Sequence, residues 1–249
     1  MFLICIAILC VSFLQKGSYK SVDDIENTTL QTPIQTEADW IPIVFERDGY
    51  TYTLHPLYNY TLNGLVVSAL QYDTWYSMSR VTKTFTKDVC IIWWDTVAKR
   101  GYQEKSLSIK QDFRFCLYRY FTNNITFNGN ELSNNHLIPK NSEVEKKILT
   151  IESGDQVKII GKLVNVRALA TWKLQKYENN NLSWDTSITR DDTWAGACEV
   201  IYVEDVEVLK KGNQVYHILF SLSLWGTILL LIYKIVELSL SFRSRKTRT

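Results

Sequence analysis

A chain of 249 residues with 46% apolar and 13% aromatic content has the composition of a folded protein, long enough for one ordinary domain or two small ones. Its 28 basic and 26 acidic side chains leave a formal net charge of +2, so no global polyanion signature points to nucleic acid as a partner. Five cysteines without a C-x-x-C pair exclude a structural zinc site of the usual spacing.

Phe2 to Leu14 is apolar and uncharged, and Gln15 and Lys16 follow it. The length suits a signal-peptide core, yet no basic residue precedes it and no small-x-small cleavage site follows. Residues 1–15 therefore read either as a signal peptide or as an N-terminal anchor. Residues 16–39 are polar and without period, as expected of a membrane-proximal linker.

A β-rich region follows over 40–130. Tyr50, Tyr52 and Leu54 alternate with Thr51 and Thr53, and Tyr58, Tyr60 and Leu62 alternate again after His55-Pro56. Asn63-Gly64 predicts a hairpin ahead of Leu65-Val66-Val67. Val89 to Trp94 and Phe113 to Tyr120 are two further strand candidates, and Asn128-Gly129 is a turn signal. The segment between Tyr72 and Lys87 has no clean period.

Over 131–210, Ser142-Glu143-Val144-Glu145 has the form of a capping box that opens a short helix at 142–152, with Val144, Ile148 and Ile151 on one stripe. The helix delivers the chain to Gly154 and the run GDQVKIIGKLV, where Gly161 inside a strand marks a bulge or bend. After a loop around Asn179, Asn180 and Asn181, Ala197 to Val208 is rich in Val and Ile. Glu204, Asp205 and Glu207 interrupt it, so one face meets water. The expected fold is mainly β with minor α: an OB-like small β-barrel over 131–210, packed with the β-rich region before it. Cys90, Cys116 and Cys198 lie in apolar runs and permit either one disulfide with one thiol left over or three buried thiols.

Ile218 to Tyr233 is apolar, Lys234 can snorkel, and Tyr216 and Tyr233 stand as interfacial anchors, which predicts a transmembrane helix over 216–236. Arg243, Arg245, Lys246 and Arg248 make residues 237–249 a basic tail. The positive-inside rule puts that tail in the cytoplasm and the body on the other side, although Lys16 and Lys20 weigh weakly against this.

The segments LSNNHLIP at 132–139, GDQVKIIGKLV at 154–164 and TRDDT-x-AGACEVIYV at 189–203 resemble a family of bacterial envelope proteins. YTLHPLYNYTLNGLVVS and DVCIIWWD resemble its N-terminal half. The resemblance spans most of the body and implies a small, membrane-associated envelope protein with no assigned reaction, which with the orientation above places it in the bacterial inner membrane with an extracytoplasmic body. Trp94 and Trp194 depart from the pattern, which carries small residues there. In a bacterial setting the sequons at Asn27, Asn59, Asn124 and Asn181 are accidental.

The residues with chemistry to offer are His136, Asn135, Arg190, Asp191, Asp192, Cys198 and Glu199. His136 titrates near neutrality and its flanking amides can hold its tautomer. Asp191 or Asp192 can accept its proton, and Arg190 can clamp a carboxylate or phosphate. A Cys198–His136–Asp191 constellation would make a thiol nucleophile, but Glu199 beside Cys198 disfavours a thiolate. No G-x-S-x-G, H-E-x-x-H, phosphate loop or dinucleotide fingerprint is present, so neither cofactor nor metal is expected. The expected function is a non-enzymatic, membrane-anchored protein that binds a protein or small-molecule ligand through His136, Asn135, Arg190, Asp191 and Asp192. The rival is an envelope hydrolase or thiol enzyme using His136, Asp191 and Cys198.

Overall fold

The computed structural model describes residues 2–72, 84–112, 115–122, 126–171, 181–192 and 197–246. Trp194 and most of the loop around Asn179 fall outside these. The protein is mainly β, with one large mixed sheet and one long apolar helix at the C-terminal end. The strands are β1 (Ile34–Glu37), β2 (Ile43–Arg47), β3 (Tyr50–Gln71), β4 (Lys87–Ile92), β5 (Leu107–Asp112), β6 (Phe115–Tyr120), β7 (Leu132–Pro139), β8 (Gln156–Ala170), β9 (Leu182–Trp184) and β10 (Cys198–Lys210). The α-helices are α1 (Phe2–Lys16), α2 (Trp94–Ala98), α3 (Ser142–Leu149) and α4 (Gln214–Lys246).

Five strands pair in a cycle. β3 pairs with β4, β4 with β7, β7 with β10, β10 with β8, and β8 again with β3. All these pairings are antiparallel except β7 with β10, which is parallel. The cycle takes β3 and β4 from the 40–130 region and the rest from 131–210, so it is not confined to the C-terminal half as the sequence suggested. Residues expected to form only a linker also contribute, since β1 pairs with β3 and Val22 is buried.

β3 is 22 residues long and overturns the expected hairpin at Asn63-Gly64. The strand runs straight through, pairing with β8 from Tyr50↔Ala170 to Leu65↔Gln156. Gly64 serves close approach rather than a turn: a Cβ there would lie 2.5 Å from the Ile92 carbonyl oxygen. Pro56, which cannot donate to a ladder, sits at the register shift before Tyr58. Gly161 is also a close-approach position, because a Cβ there would reach 3.0 Å from the Tyr202 carbonyl carbon. A register shift follows its partner Val203.

The alternation of β3, β4, β8 and β10 sends Leu62, Val89, Ile91, Ile159, Leu163 and Ile201 into one cluster, all fully buried. Each such side chain contributes roughly 1.5–3 kcal/mol. Val144 and Ile148 on α3 and Ile151, two residues past its end, form the predicted stripe and join the same cluster. The α3 cap is Asn141 rather than Ser142: its Oδ1 accepts from the backbone N–H of Glu143 and Val144.

On the outer face of β4, Ile92 packs with Leu65, Val97, Tyr102, Leu107 and Ile109 beneath the β5–β6 hairpin. A Cys90–Cys116 disulfide, with Cα atoms 6.0 Å apart, ties that hairpin to β4. Of the two arrangements the sequence left open, the molecule has the disulfide, with Cys198 buried outside that bond.

α1 packs antiparallel along the first half of α4: the Phe13 and Phe220 rings lie 6.0 Å apart, and a Cβ on Gly226 would meet Cys5 Sγ at 3.8 Å. Ser12 on α1 and Ser223 on α4 are buried, whereas most of the apolar side chains of both helices are exposed. The segment Gln214–Glu237 is long and apolar enough to cross a membrane, with mean hydropathy 2.0.

Candidate functional site

Successive strand residues point to opposite faces, so Asn135 and His136 cannot serve one site. Asn135 shares the face of Leu137 inside the strand cycle, where its Nδ2 donates to Val89 O at 3.1 Å and Ser133 Oγ at 2.8 Å. His136 faces out of the cycle and is 3% exposed. Its Nδ1 lies 2.5 Å from Oδ2 of fully buried Asp88, on the neighbouring strand β4. Tyr72 donates its hydroxyl to the same Asp88 oxygen, and the Phe85 ring sits 5.0 Å from the imidazole. The carboxylate partner of His136 is thus Asp88, whereas Asp191 is exposed on a loop. Cys198 is buried and accepts from Asn134 Nδ2 at 3.5 Å. Asp192 accepts from the Ser187 hydroxyl.

The structure brings Arg190 and Glu199 together. β10 places Glu199 on the inward face with Ile201 and Val203, opposite Asn135 in the register. Backbone and side-chain bonds hold the segment after β9 onto β10: Ser187 N–H donates to Cys198 O at 2.9 Å and Val200 N–H to Thr186 Oγ1 at 3.0 Å. That segment ends with Arg190, whose Nη1 pairs with Glu199 Oε1. Glu199 is 1% exposed. Burial pushes its carboxyl up to about 7, against the opposing pull of Arg190. Burial is the largest single influence on the Arg190 guanidinium and works against its charge, but Glu199, Tyr60 and Asp192 together outweigh it and hold the group above its usual value.

Beside this pair lies a cavity of about 340 Å³, lined by Tyr60, Trp93, Trp94, Asn130, Ile188 and Arg190 among others. The Tyr60 hydroxyl, Arg190 Nη2 and Glu199 Oε2 are buried and have no hydrogen-bond partner among the described residues. Tyr60 is 2% exposed, and burial raises its phenol further from ionisation. Trp94, where the resemblance implied a small residue, takes a left-handed backbone at φ +51. It stays 49% exposed, so packing alone does not account for that conformation. Glu131, also on the wall, is not free: Oε1 accepts from Asn128 Nδ2 at 2.8 Å and Oε2 from Thr96 N–H at 2.5 Å.

Sequence reasoning singled out Arg190 and Glu199 but read Tyr60 and Trp93 only as strand residues, and Trp94 as a strand residue that departs from the resemblance. It also missed Asp88, although one acid inside the apolar run KDVCIIWW was a signal that it needed a buried partner. Among the described residues no group of three His, Cys, Asp or Glu side chains is placed to hold a metal ion. Comparison with family models, curated proteins and solved structures finds no match to this chain.

Proposed function

We propose that this is a non-enzymatic, membrane-anchored envelope protein whose β body binds a ligand or partner in the cavity beside Tyr60 and Arg190. The observation that carries the reading is the set of unpartnered buried atoms at that cavity. A guanidinium nitrogen and a phenol on its lining, without partners among the described residues, cost about 1–3 kcal/mol each, which a ligand able to donate and accept can recover.

The pairing order β3–β4–β7–β10–β8 with a parallel β7–β10 contact, and α3 between β7 and β8, supports an OB-type barrel whose mouth holds the cavity. The apolar Gln214–Glu237 segment followed by Arg243, Arg245, Lys246 and Arg248 supports a single C-terminal span of a bacterial inner membrane, with the tail in the cytoplasm. The Cys90–Cys116 disulfide favours an oxidising compartment for the body. The burial of His136 and Cys198, and the pairing of His136 with Asp88 rather than Asp191, weigh against the hydrolase or thiol-enzyme alternative.

Protease added outside spheroplasts is expected to digest the body and spare the tail, and protection of the body overturns the orientation. Turnover of cell-wall, lipid or nucleotide substrates that is abolished by His136→Ala in a still-folded protein overturns the non-enzymatic reading.

A further inference from the structure

We infer that the cavity beside Tyr60, Trp94 and Arg190 is a site for a neutral saccharide, an inference that rests on the binding reading above. The polar demand of the cavity is mixed and local. Arg190 Nη2 and the Tyr60 hydroxyl both come from residues lining the cavity, both are buried, and neither has a hydrogen-bond partner among the described residues, so a donor and a group that donates and accepts share one wall. A sugar hydroxyl donates and accepts through one oxygen and satisfies such a pair without carrying charge.

Charge argues the same way. Arg190 is the one cationic side chain lining the cavity among the described residues, and Glu199 already neutralises it. An anionic ligand meets no spare positive charge here, and a cationic one meets the guanidinium. Glu131, the single acid on the wall among the described residues, has both oxygens occupied by Asn128 and Thr96. The remaining walls supply what a pyranose needs besides hydroxyl partners: flat apolar surface from Trp93 and Trp94, and amide groups from Gln35 and Asn130. Trp94 is held half-exposed at the rim in a backbone conformation that costs a bulky residue energy, as at sites where strain is kept for function.

The test is thermal denaturation and intrinsic fluorescence of the detergent-solubilised full chain against four probe classes: neutral disaccharides (cellobiose, maltose and the N-acetylglucosamine dimer), glucuronic acid, choline and adenosine. The variants are Tyr60→Phe, which removes one hydroxyl, and Trp94→Gly, which removes the ring at a φ that glycine accepts. At ten times its dissociation constant, a bound disaccharide is expected to raise the melting temperature by about 3 °C or more. It also shifts the Trp emission, and both effects are lost in Trp94→Gly and weakened in Tyr60→Phe while the unliganded melts stay cooperative. Binding of glucuronic acid, choline or adenosine in place of the disaccharides overturns the saccharide assignment and leaves the binding site standing. Disaccharide binding unaltered by either variant also overturns the assignment. No response to any class overturns both the assignment and the binding reading, and identifies the orphan polar atoms as partners of water alone.

Discussion

Reducing the Cys90–Cys116 disulfide should loosen one specific part of this molecule. The two cysteines are 26 residues apart, and for a loop of that size the chain-entropy relation gives about 3.5 kcal/mol at 25 °C. A protein of this length shifts its melting temperature by roughly 2–4 °C per kcal/mol, so reduction, or a Cys90→Ser/Cys116→Ser double variant, should lower it by about 7–14 °C. The change should be local before it is global. The bond fastens β6 to β4, and β5 and β6 pair with each other rather than with the large sheet. Hydrogen exchange after reduction should therefore quicken first at Leu107–Asp112 and Phe115–Tyr120, while amides of β3 and β8 keep their protection. The assay is differential scanning fluorimetry with and without reductant, followed by peptide-resolved exchange. A melting-temperature change under about 2 °C, or two alkylatable thiols at these positions in protein purified without reductant, refutes the reasoning.

Glu199→Gln should flatten the acid limb of the stability profile. Glu199 ionises near pH 7 when folded and near 4.5 when unfolded, so the unfolded chain binds fewer protons between those values and wild-type stability falls as pH rises through that window. The fall is on the order of 3 kcal/mol at most, and denaturant melts at pH 4.5, 6 and 7.5 should show it in the wild type and not in the variant. Lys87 is buried in β4 and donates to the carbonyls of Leu149 at 2.9 Å and Ile151 at 2.6 Å, where α3 ends. Lys87→Met strands both carbonyls and should cost about 1–3 kcal/mol in a urea melt. Asp88→Ala removes the shared acceptor of Tyr72 and His136 and should cost about 3 kcal/mol or more in a urea melt. Gly226→Cys should crosslink to Cys5 on mild oxidation and keep the two halves of a body-cleaved chain together. Separation of those halves on a non-reducing gel would show that α1 does not remain beside α4.

Local pattern exposed some of this architecture and concealed the rest for identifiable reasons. The α3 stripe of Val144, Ile148 and Ile151 and the irregularity at Gly161, seen as a register shift after its partner Val203, were legible, because helical period and an interior glycine are local signals. The unbroken course of β3 was not. Pro56 and Asn63-Gly64 are turn signals by themselves, and only a partner strand matched to nearly their whole length overrides them. The cavity was half legible. Arg190 and Glu199 stood out as charges in or beside an apolar run, but Tyr60, Trp93 and Trp94 carry the same alternation that core aromatics carry. The His136–Asp88 pair joins strands 48 residues apart in sequence, and Asp88 follows a segment with no period to place it.

The junctions at the two ends of the body leave almost no slack. β10 ends at Lys210 and α4 begins at Gln214, while α1 ends at Lys16 and the chain re-enters a helical turn at Tyr19. Asp155 locks the exit by accepting from Lys211 Nζ at 2.8 Å and Gly212 N–H at 2.9 Å, and Asn213 Nδ2 donates to Ser18 O at 2.7 Å across the two junctions. With both helices seated in a bilayer, the head has no stalk on which to swivel or extend. The cavity would then sample only a thin shell of space at a fixed tilt above the lipid, and what it captures would have to come to the membrane surface.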